Sequence, residues 1–392
     1  SEAVDAHYHA AIDDLKGETA SQEGHIDAAV ALWQPVAKGL DRLYHAKATL
    51  SLARVLLQQK KITAKEAVEL LDNLRFAWRG DRLEIAILHT LGTLRVQDGQ
   101  VLAGLHDMKQ AVELAEGMQD DATDTRDDMK RAFKDLFNAD QQSSVKPLEA
   151  VSVYEEFSSI LPAGPEANTA ALNFADYLNR MDLLDRAAKL IEEQIKNGLA
   201  EEKIVAVGTK LAAVYLLDGR PALALDALRE TERGAMDDKT REERALLKAR
   251  AQSQANQTAA AIETLGALHS RNAQRLKADV LWRAQKWSDA AEAIAALLPE
   301  DGKPLTDENA SYILNIAVAC KLADNPAKLK DVKDKYSVAM AGTKLAATFG
   351  VVTRDGGASA LADRETVLKI AGEVDMFKSF LDSYKASTNK GS

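Results

Sequence analysis

"KLAAVYLLDGRPALALDALRE" runs from Lys210 to Glu230, and thirty-seven residues earlier the chain reads "NFADYLNRMDLLDRAAKLIEE", from Asn173 to Glu193. The two stretches share few identities but one layout: a small residue, a bulky residue, a turn, then an amphipathic run with paired alanines. Apolar residues at helical spacing on both sides of a short polar break describe two helices folded back on one another.

The layout recurs along the chain. Its anchor is a small residue that opens the buried face of the second helix, followed four positions later by a larger apolar one. Such pairs stand at Ala29/Trp33, Ala67/Leu71, Gly104/Met108, Ala150/Tyr154, Ala187/Ile191, Ala224/Leu228, Ala261/Leu265 and Ala290/Ile294, with a weaker ninth centred on Leu329. Successive anchors lie 38, 37, 46, 37, 37, 37 and 29 residues apart. The long step contains an acidic insertion, and the short one implies a shortened repeat. The partner helix carries small or apolar residues twelve and nine positions before its anchor, as in Ala175 and Leu178, Ala212 and Tyr215, or Ala278 and Leu281. Gly24, Gly99, Asp182 and Gly219 mark the turns. A small residue on the second helix lets the two backbones approach where a larger side chain would hold them apart.

Composition agrees with a helical reading. Of 392 residues, 46% are apolar and 28% charged, which is globular rather than disordered. Alanine and leucine, both strong helix formers, prevail over the aromatics. Alternating β-branched runs are nearly absent. The net charge of −10 argues against nucleic acid, whose binding needs a basic face to displace counterions. Cys320 is the one cysteine, so no disulfide forms within the chain, and its apolar setting in "YILNIAVACKLA" reads as a buried small hydrophobe. No apolar run reaches the roughly 20 residues that span a bilayer, so direct membrane insertion is not expected. The N-terminal "SEAVDAHYHAAIDDL" lacks the basic start and apolar centre of a signal peptide. Both ends read as trimmed, leaving room for an export signal or anchor outside this sequence.

The pattern resembles the tetratricopeptide repeat. "LHTLGTLRVQDGQVLAGLHDM" supplies Leu88, Leu91, Gly92, Gly99 and Gly104; "LAAVYLLDGRPALALDAL" supplies Leu211, Ala212, Tyr215, Gly219 and Ala224. "FNADQQSSVKPLEAVSVYEEFSSILP" adds Phe137, Ala150, Tyr154 and the closing Pro162. Most closing prolines and first aromatics are missing, and the dominant period of 37 exceeds the family's roughly 34. In architecture the resemblance covers residues 10–340. It implies an α-solenoid, a right-handed superhelix of helical hairpins that binds a protein or peptide partner on its concave face. "RLKADVLWRAQKWSDAAEAIAALLP" and "YSVAMAGTKLAATFGVVT" also look like the end of long bacterial cell-envelope repeat proteins. That second resemblance implies a periplasmic or envelope location rather than an activity.

Signals for chemistry are sparse. His7 and His9 lie two apart and face different ways on a helix, and no His-Glu-x-x-His, Gly-x-Ser-x-Gly or P-loop pattern occurs. "RDGGAS", Arg354–Ser359, lacks the Lys-Ser/Thr of a phosphate loop and reads as a plain connection. "GMQDDATDTRDDMK", residues 117–130, reads as a solvated loop entering the next helix, its acids near the positive N-terminal end. It lacks the glycine and acid order of a calcium-binding loop. Neither a catalytic residue, a cofactor nor a metal site is expected.

What remains is surface. Projecting the repeat register onto the first helix of each hairpin selects Asp176, Asn179 and Arg180, then Arg250 and Gln254, then Arg275, Asp279, Trp282 and Arg283. Arginine makes forked hydrogen bonds and tryptophan offers a large rigid contact, so both suit a partner face. Trp282 fits the core equally well, and the arginines fit acids of neighbouring repeats as well as a partner. The Lys/Asn clamp by which some tetratricopeptide domains hold a C-terminal carboxylate is not in register. The expectation is an all-α solenoid of eight or nine hairpins, with repeats over 1–117 and again over 118–354 after the acidic insertion. A capping helix and tail follow over 355–392, with Val367, Ile370, Val374, Phe377 and Leu381 on one face. The expected role is a protein-interaction scaffold in an envelope or motility-type assembly. Self-associating structural module is the alternative, and a ligand-binding protein or enzyme a third.

Overall fold

A computed structural model of the chain describes residues 2–137, 146–299, 305–354 and 369. The capping helix expected from residue 355 onward lies outside the described residues. Among the described residues every regular element is helical.

The chain divides into two compact units, Ser1–Phe174 and Ala175–Ser392. The first holds α1 (Glu2–Gln22), α2 (Ile26–Val36), α3 (Arg42–Gln58), α4 (Ala64–Asp72), α5 (Leu74–Ala77), α6 (Arg82–Gln97), α7 (Val101–Gly117), α8 (Thr123–Leu136) and α9 (Pro147–Phe157). The boundary falls inside α10 (Pro165–Arg180). The second unit continues with α11 (Leu184–Lys196), α12 (Glu201–Leu217), α13 (Pro221–Glu230), α14 (Asp238–Gln254) and α15 (Thr258–Gly266). It closes with α16 (Arg271–Arg283), α17 (Trp287–Ala295), α18 (Asp307–Leu322), α19 (Pro326–Ala341) and α20 (Ala346–Val352).

Each anchor sits on the second helix of a pair: Ala29 on α2, Ala67 on α4, Gly104 on α7, Ala150 on α9, Ala187 on α11, Ala224 on α13, Ala261 on α15 and Ala290 on α17. All seven alanines among them are buried. So are Ala175, Leu178, Ala212, Tyr215, Ala278 and Leu281 on the facing first helices. The reason for small residues is clearest where α6 crosses α7. A Cβ on Gly104 would stand 2.6 Å from the Gly92 carbonyl oxygen, and a Cβ on Gly92 would stand 2.7 Å from the Gly104 oxygen. Within the units, helices pack on the next helix and on the next but one, as α12 does on α13 and α14, and α14 on α15 and α16.

The turns inside the pairs share one backbone device. Gly24, Lys60, Gly99, Asp182, Gly219, Asn256, Gln285 and Asp324 all have φ between 51° and 85°. In each turn the following N–H donates five residues back, as in Gln100 to Arg95, Arg220 to Tyr215 and Lys286 to Leu281, at 2.8–2.9 Å. The left-handed residue itself donates three back, which completes the double bond of a Schellman turn. At several junctions between pairs side chains cap the next helix: Asp41, Asp81, Asp237, Ser270 and Thr306 cap the starts of α3, α6, α14, α16 and α18.

Two sequence expectations are corrected. The acidic stretch 117–130, expected as a loop entering the next helix, is a loop only as far as Ala122, and α8 takes up the rest from Thr123. Thr125, Met129, Ala132, Phe133 and Leu136 form a buried stripe on α8, and the surrounding acids had hidden it. The extra residues of the long repeat step fall between α8 and α9, over 137–146, most of them outside the described residues. The chain also does not part after Gly117, because α7 packs on both α8 and α9.

Candidate partner-binding site

The nine residues selected from the register all lie on first helices. Asp176, Arg250 and Asp279 occupy one position, eleven residues before their anchors, in three repeats. Equal register on stacked neighbours brings side chains together, and Arg250 on α14 donates through Nη1 to Asp279 Oδ2 on α16. Arg283 Nε, one turn along α16, donates to the same oxygen at 2.8 Å. Asp279 is fully buried and Arg250 nearly so, whereas the Arg283 side chain keeps 39% of its exposure. The three form a chain of charges that starts inside the packing and reaches solvent at Arg283.

Arg275 extends the pattern to the next hairpin. Its Nε donates to the Tyr312 hydroxyl at 2.8 Å, and its guanidinium pairs with Glu308 at the start of α18. Trp282 belongs to the core: it is buried and meets Trp287 edge-on, ring centroids 5.3 Å apart.

Asp176, Asn179 and Arg180 form a second group at the end of α10. Lys210 Nζ donates to Asp176 Oδ2 at 2.8 Å. Burial pushes the Asp176 carboxyl above its ordinary value, against the pull of Lys210 and Arg180. Arg180 lies over the Tyr177 ring, and burial lowers its guanidinium pKa, opposed by Asp176. Asn179 is buried with no hydrogen-bond partner for Oδ1, and Arg180 Nη2 and Gln254 Oε1 also have none. Asn179, Arg250, Asp279 and Trp282 are therefore packing residues and offer no free surface, which corrects the expectation that all nine face a partner. Asp176, Arg180, Gln254, Arg275 and Arg283 keep partial access.

Register reading missed two buried guanidiniums. Arg95 on α6 donates to Asp107 on α7 at 2.5 Å and to Asp72 on α4, and Arg75 stands 3.3 Å from the other Asp107 oxygen. Arg95 sits nine positions before its anchor, where other repeats carry Leu178, Tyr215 or Leu281, and a charge at that apolar position was the signal to follow. Arg244 on α14 donates to the carbonyls of Val205 and Leu228 and to the Thr209 hydroxyl, and no pattern in the sequence marks it. The shared approach needs Gly208, because a Cβ there would stand 2.0 Å from Thr231 Oγ1.

Among the described residues no group of three or more His, Cys, Asp or Glu side chains is placed to hold a metal ion. Cys320 is buried in the core, which pushes its thiol pKa up. No described helix is long and apolar enough to cross a membrane. No protein-family model matches this chain, and no curated protein matches it.

Proposed function

We propose that this chain is a tetratricopeptide-like α-solenoid that serves as a non-catalytic scaffold for a protein or peptide partner within a bacterial envelope or motility-type assembly. The observation that carries the reading is a ladder of ion pairs at repeat spacing. Lys61 reaches Asp27 at 2.9 Å, Lys210 reaches Asp176 at 2.8 Å, Arg220 reaches Asp185 at 3.1 Å and Lys328 reaches Glu292 at 2.6 Å. Their members lie 34, 34, 35 and 36 residues apart. The three exposed pairs contribute only about 0–1 kcal/mol each, and Lys210–Asp176 is largely buried; together they favour one orientation of successive hairpins. A rigid row of hairpins presents its first helices side by side, and a scaffold needs that preorganisation. The partner contacts we assign are Asp176, Arg180, Gln254, Arg275 and Arg283, with Arg250, Asp279, Asn179 and Trp282 holding them in place.

The test is a crosslinking pull-down from native cells, read by mass spectrometry. A dominant partner that is lost from an Arg275→Glu/Arg283→Glu variant with unchanged circular dichroism supports the assignment. Retention of that partner by the variant removes it.

A second reading, a structural module that packs on copies of itself or on other parts of a longer chain, draws support from α1. Tyr8, Ile12 and Leu15 stand 62%, 47% and 63% exposed on one face of that helix, an apolar stripe of the kind that marks an interaction surface. Concentration-dependent sedimentation that disappears in Leu15→Glu favours this reading, and a monomer at all concentrations discards it.

A further inference from the structure

The left-handed turn residue of each pair gives the first helices a common reference. Twelve residues before it stand Ala48, Ile87 and Ala170 in the first unit and Val207, Arg244, Ala273 and Tyr312 in the second, and all of them are buried. The residues five before it behave alike, from Val55 on α3 to Ala319 on α18. The second helix of the preceding pair covers this face. Ala48 and Val55 share one core with Ala29, Trp33 and Val36 of α2, and Ile87 and Leu94 share another with Ala67, Leu71 and Leu74. Ala273 and Val280 share a core with Ala261 and Leu265 of α15, and Tyr312 and Ala319 share one with Ala290, Ile294 and Leu297. Arg244 reaches the same kind of neighbour directly, through its hydrogen bond to the Leu228 carbonyl on α13. The covering helix has one pattern: a small residue, then apolar residues four and seven positions on, as in Ala29/Trp33/Val36, Ala67/Leu71/Leu74 and Ala290/Ile294/Leu297.

On α1, which packs on α2 and α3, the same two positions are Ile12 and Thr19, and both are exposed. Tyr8 and Leu15, also exposed, extend Ile12 into an apolar stripe at steps of four and three residues. An outermost hairpin that meets only water carries a polar outer face, and this one does not. We propose that the outer face of α1 docks an amphipathic helix of a partner protein, one carrying a small residue with apolar residues four and seven positions further on. The docked helix continues the interface by which hairpins of this chain stack on one another. Its small residue admits the close approach, and its two larger side chains lie against the Tyr8/Ile12/Leu15 ridge as ridges of one helix pack into grooves of another. A second copy of the chain is a poorer match. The last second helix described, α19, carries Leu329, Lys333 and Tyr336 at these steps, a charge where the others are apolar, and α20 already packs on it. The proposal rests on the protein-binding reading above but not on the contacts assigned there to Asp176, Arg180, Gln254, Arg275 and Arg283.

The experiment is fluorescence anisotropy on the full chain with a fluorescein-labelled peptide of the covering pattern, "KWSDAAEAIAALLP", which is Lys286–Pro299 of this chain and carries Ala290, Ile294 and Leu297. The same peptide with Ile294→Glu is the control. The expected result is saturable binding of the first peptide only, weakened roughly tenfold or more by Ile12→Glu or Leu15→Glu, since either would place an unpaired carboxylate beneath the docked helix. Val338→Glu, at an exposed apolar site on α19, should leave binding unchanged, as should Arg275→Glu/Arg283→Glu. Absence of binding, equal binding of the control peptide, indifference to both α1 variants, or an equal loss in Val338→Glu overturns the proposal. Loss of the peptide from the Arg275→Glu/Arg283→Glu variant moves it to the other face and overturns the proposal too. Concentration-dependent sedimentation of the chain alone that Leu15→Glu abolishes makes a second copy the occupant and rejects the partner helix. Peptide binding at α1 that persists while the pull-down partner ignores Arg275 and Arg283 rejects only the earlier assignment.

Discussion

At the scale of single residues, the chain combines positions that are easy to foresee with others that are concealed. The small anchors could be read directly, because alanine or glycine at a fixed step on an amphipathic run marks a close approach of two helices. Gly104 is the most constrained. Gly104→Ala places a methyl against the Gly92 carbonyl and should cost about 1–3 kcal/mol of stability, typical of overpacking, as measured by urea denaturation. The nine candidate binding residues were only partly legible. Register places a residue on a helix face, but it does not tell whether a neighbour's acid will meet it. Asp279 does meet Arg250, and the pair closes the packing. Arg250→Met therefore deprives a buried carboxylate of its buried guanidinium and should destabilise by about 3–5 kcal/mol, whereas Arg250→Met/Asp279→Leu should recover most of that loss. A double variant no better than the single one in thermal unfolding would contradict the pairing.

At the scale of elements, helices were legible and their junctions were not. Glycine is the residue most often read as a helix stop, yet among the eight described turns within pairs it fills the left-handed position at Gly24, Gly99 and Gly219 only. Lys60 and Gln285 adopt the same conformation at a cost that glycine avoids, about 1–2 kcal/mol for an L residue. Gln285→Gly should thus raise stability by up to ~1 kcal/mol, the remainder being offset by the greater freedom of glycine in the unfolded chain. A lower denaturation midpoint would show that the Gln285 side chain contributes more than its backbone costs. Helix starts carry a pH signature. The Tyr44 backbone N–H holds Asp41 below its usual value, and the Thr63 and Thr240 N–H groups do the same for Glu66 and Asp237. Their stabilisation is complete above the unfolded carboxyl values near 4 and is lost as pH falls through the lower folded values. Amide protection factors at Tyr44, Thr63 and Thr240 should fall together below about pH 4 and stay level from pH 5 to 8. Asp176 has the opposite sign: burial raises its value, so acidification through that raised value relieves a cost.

At the scale of the molecule, packing within each unit joins a helix to its near neighbours in sequence. Stability in such arrangements is close to a sum of local and nearest-neighbour contributions. A lesion such as Gly104→Ala should therefore raise hydrogen exchange across α6–α9 and leave α14–α18 unchanged; uniform loss of protection along the chain would mean that folding is all-or-none. The all-helical content and the order of the described helix pairs were legible because the 37-residue spacing recurs although the residues between differ. The division at Phe174 was not, since no change of composition marks it. The shared turn has a further consequence. Its hydrogen bonds run between main-chain groups, so the bend between two helices depends little on side-chain identity. Hairpins joined in this way can differ widely in sequence, each presenting its own surface, while keeping the same joint.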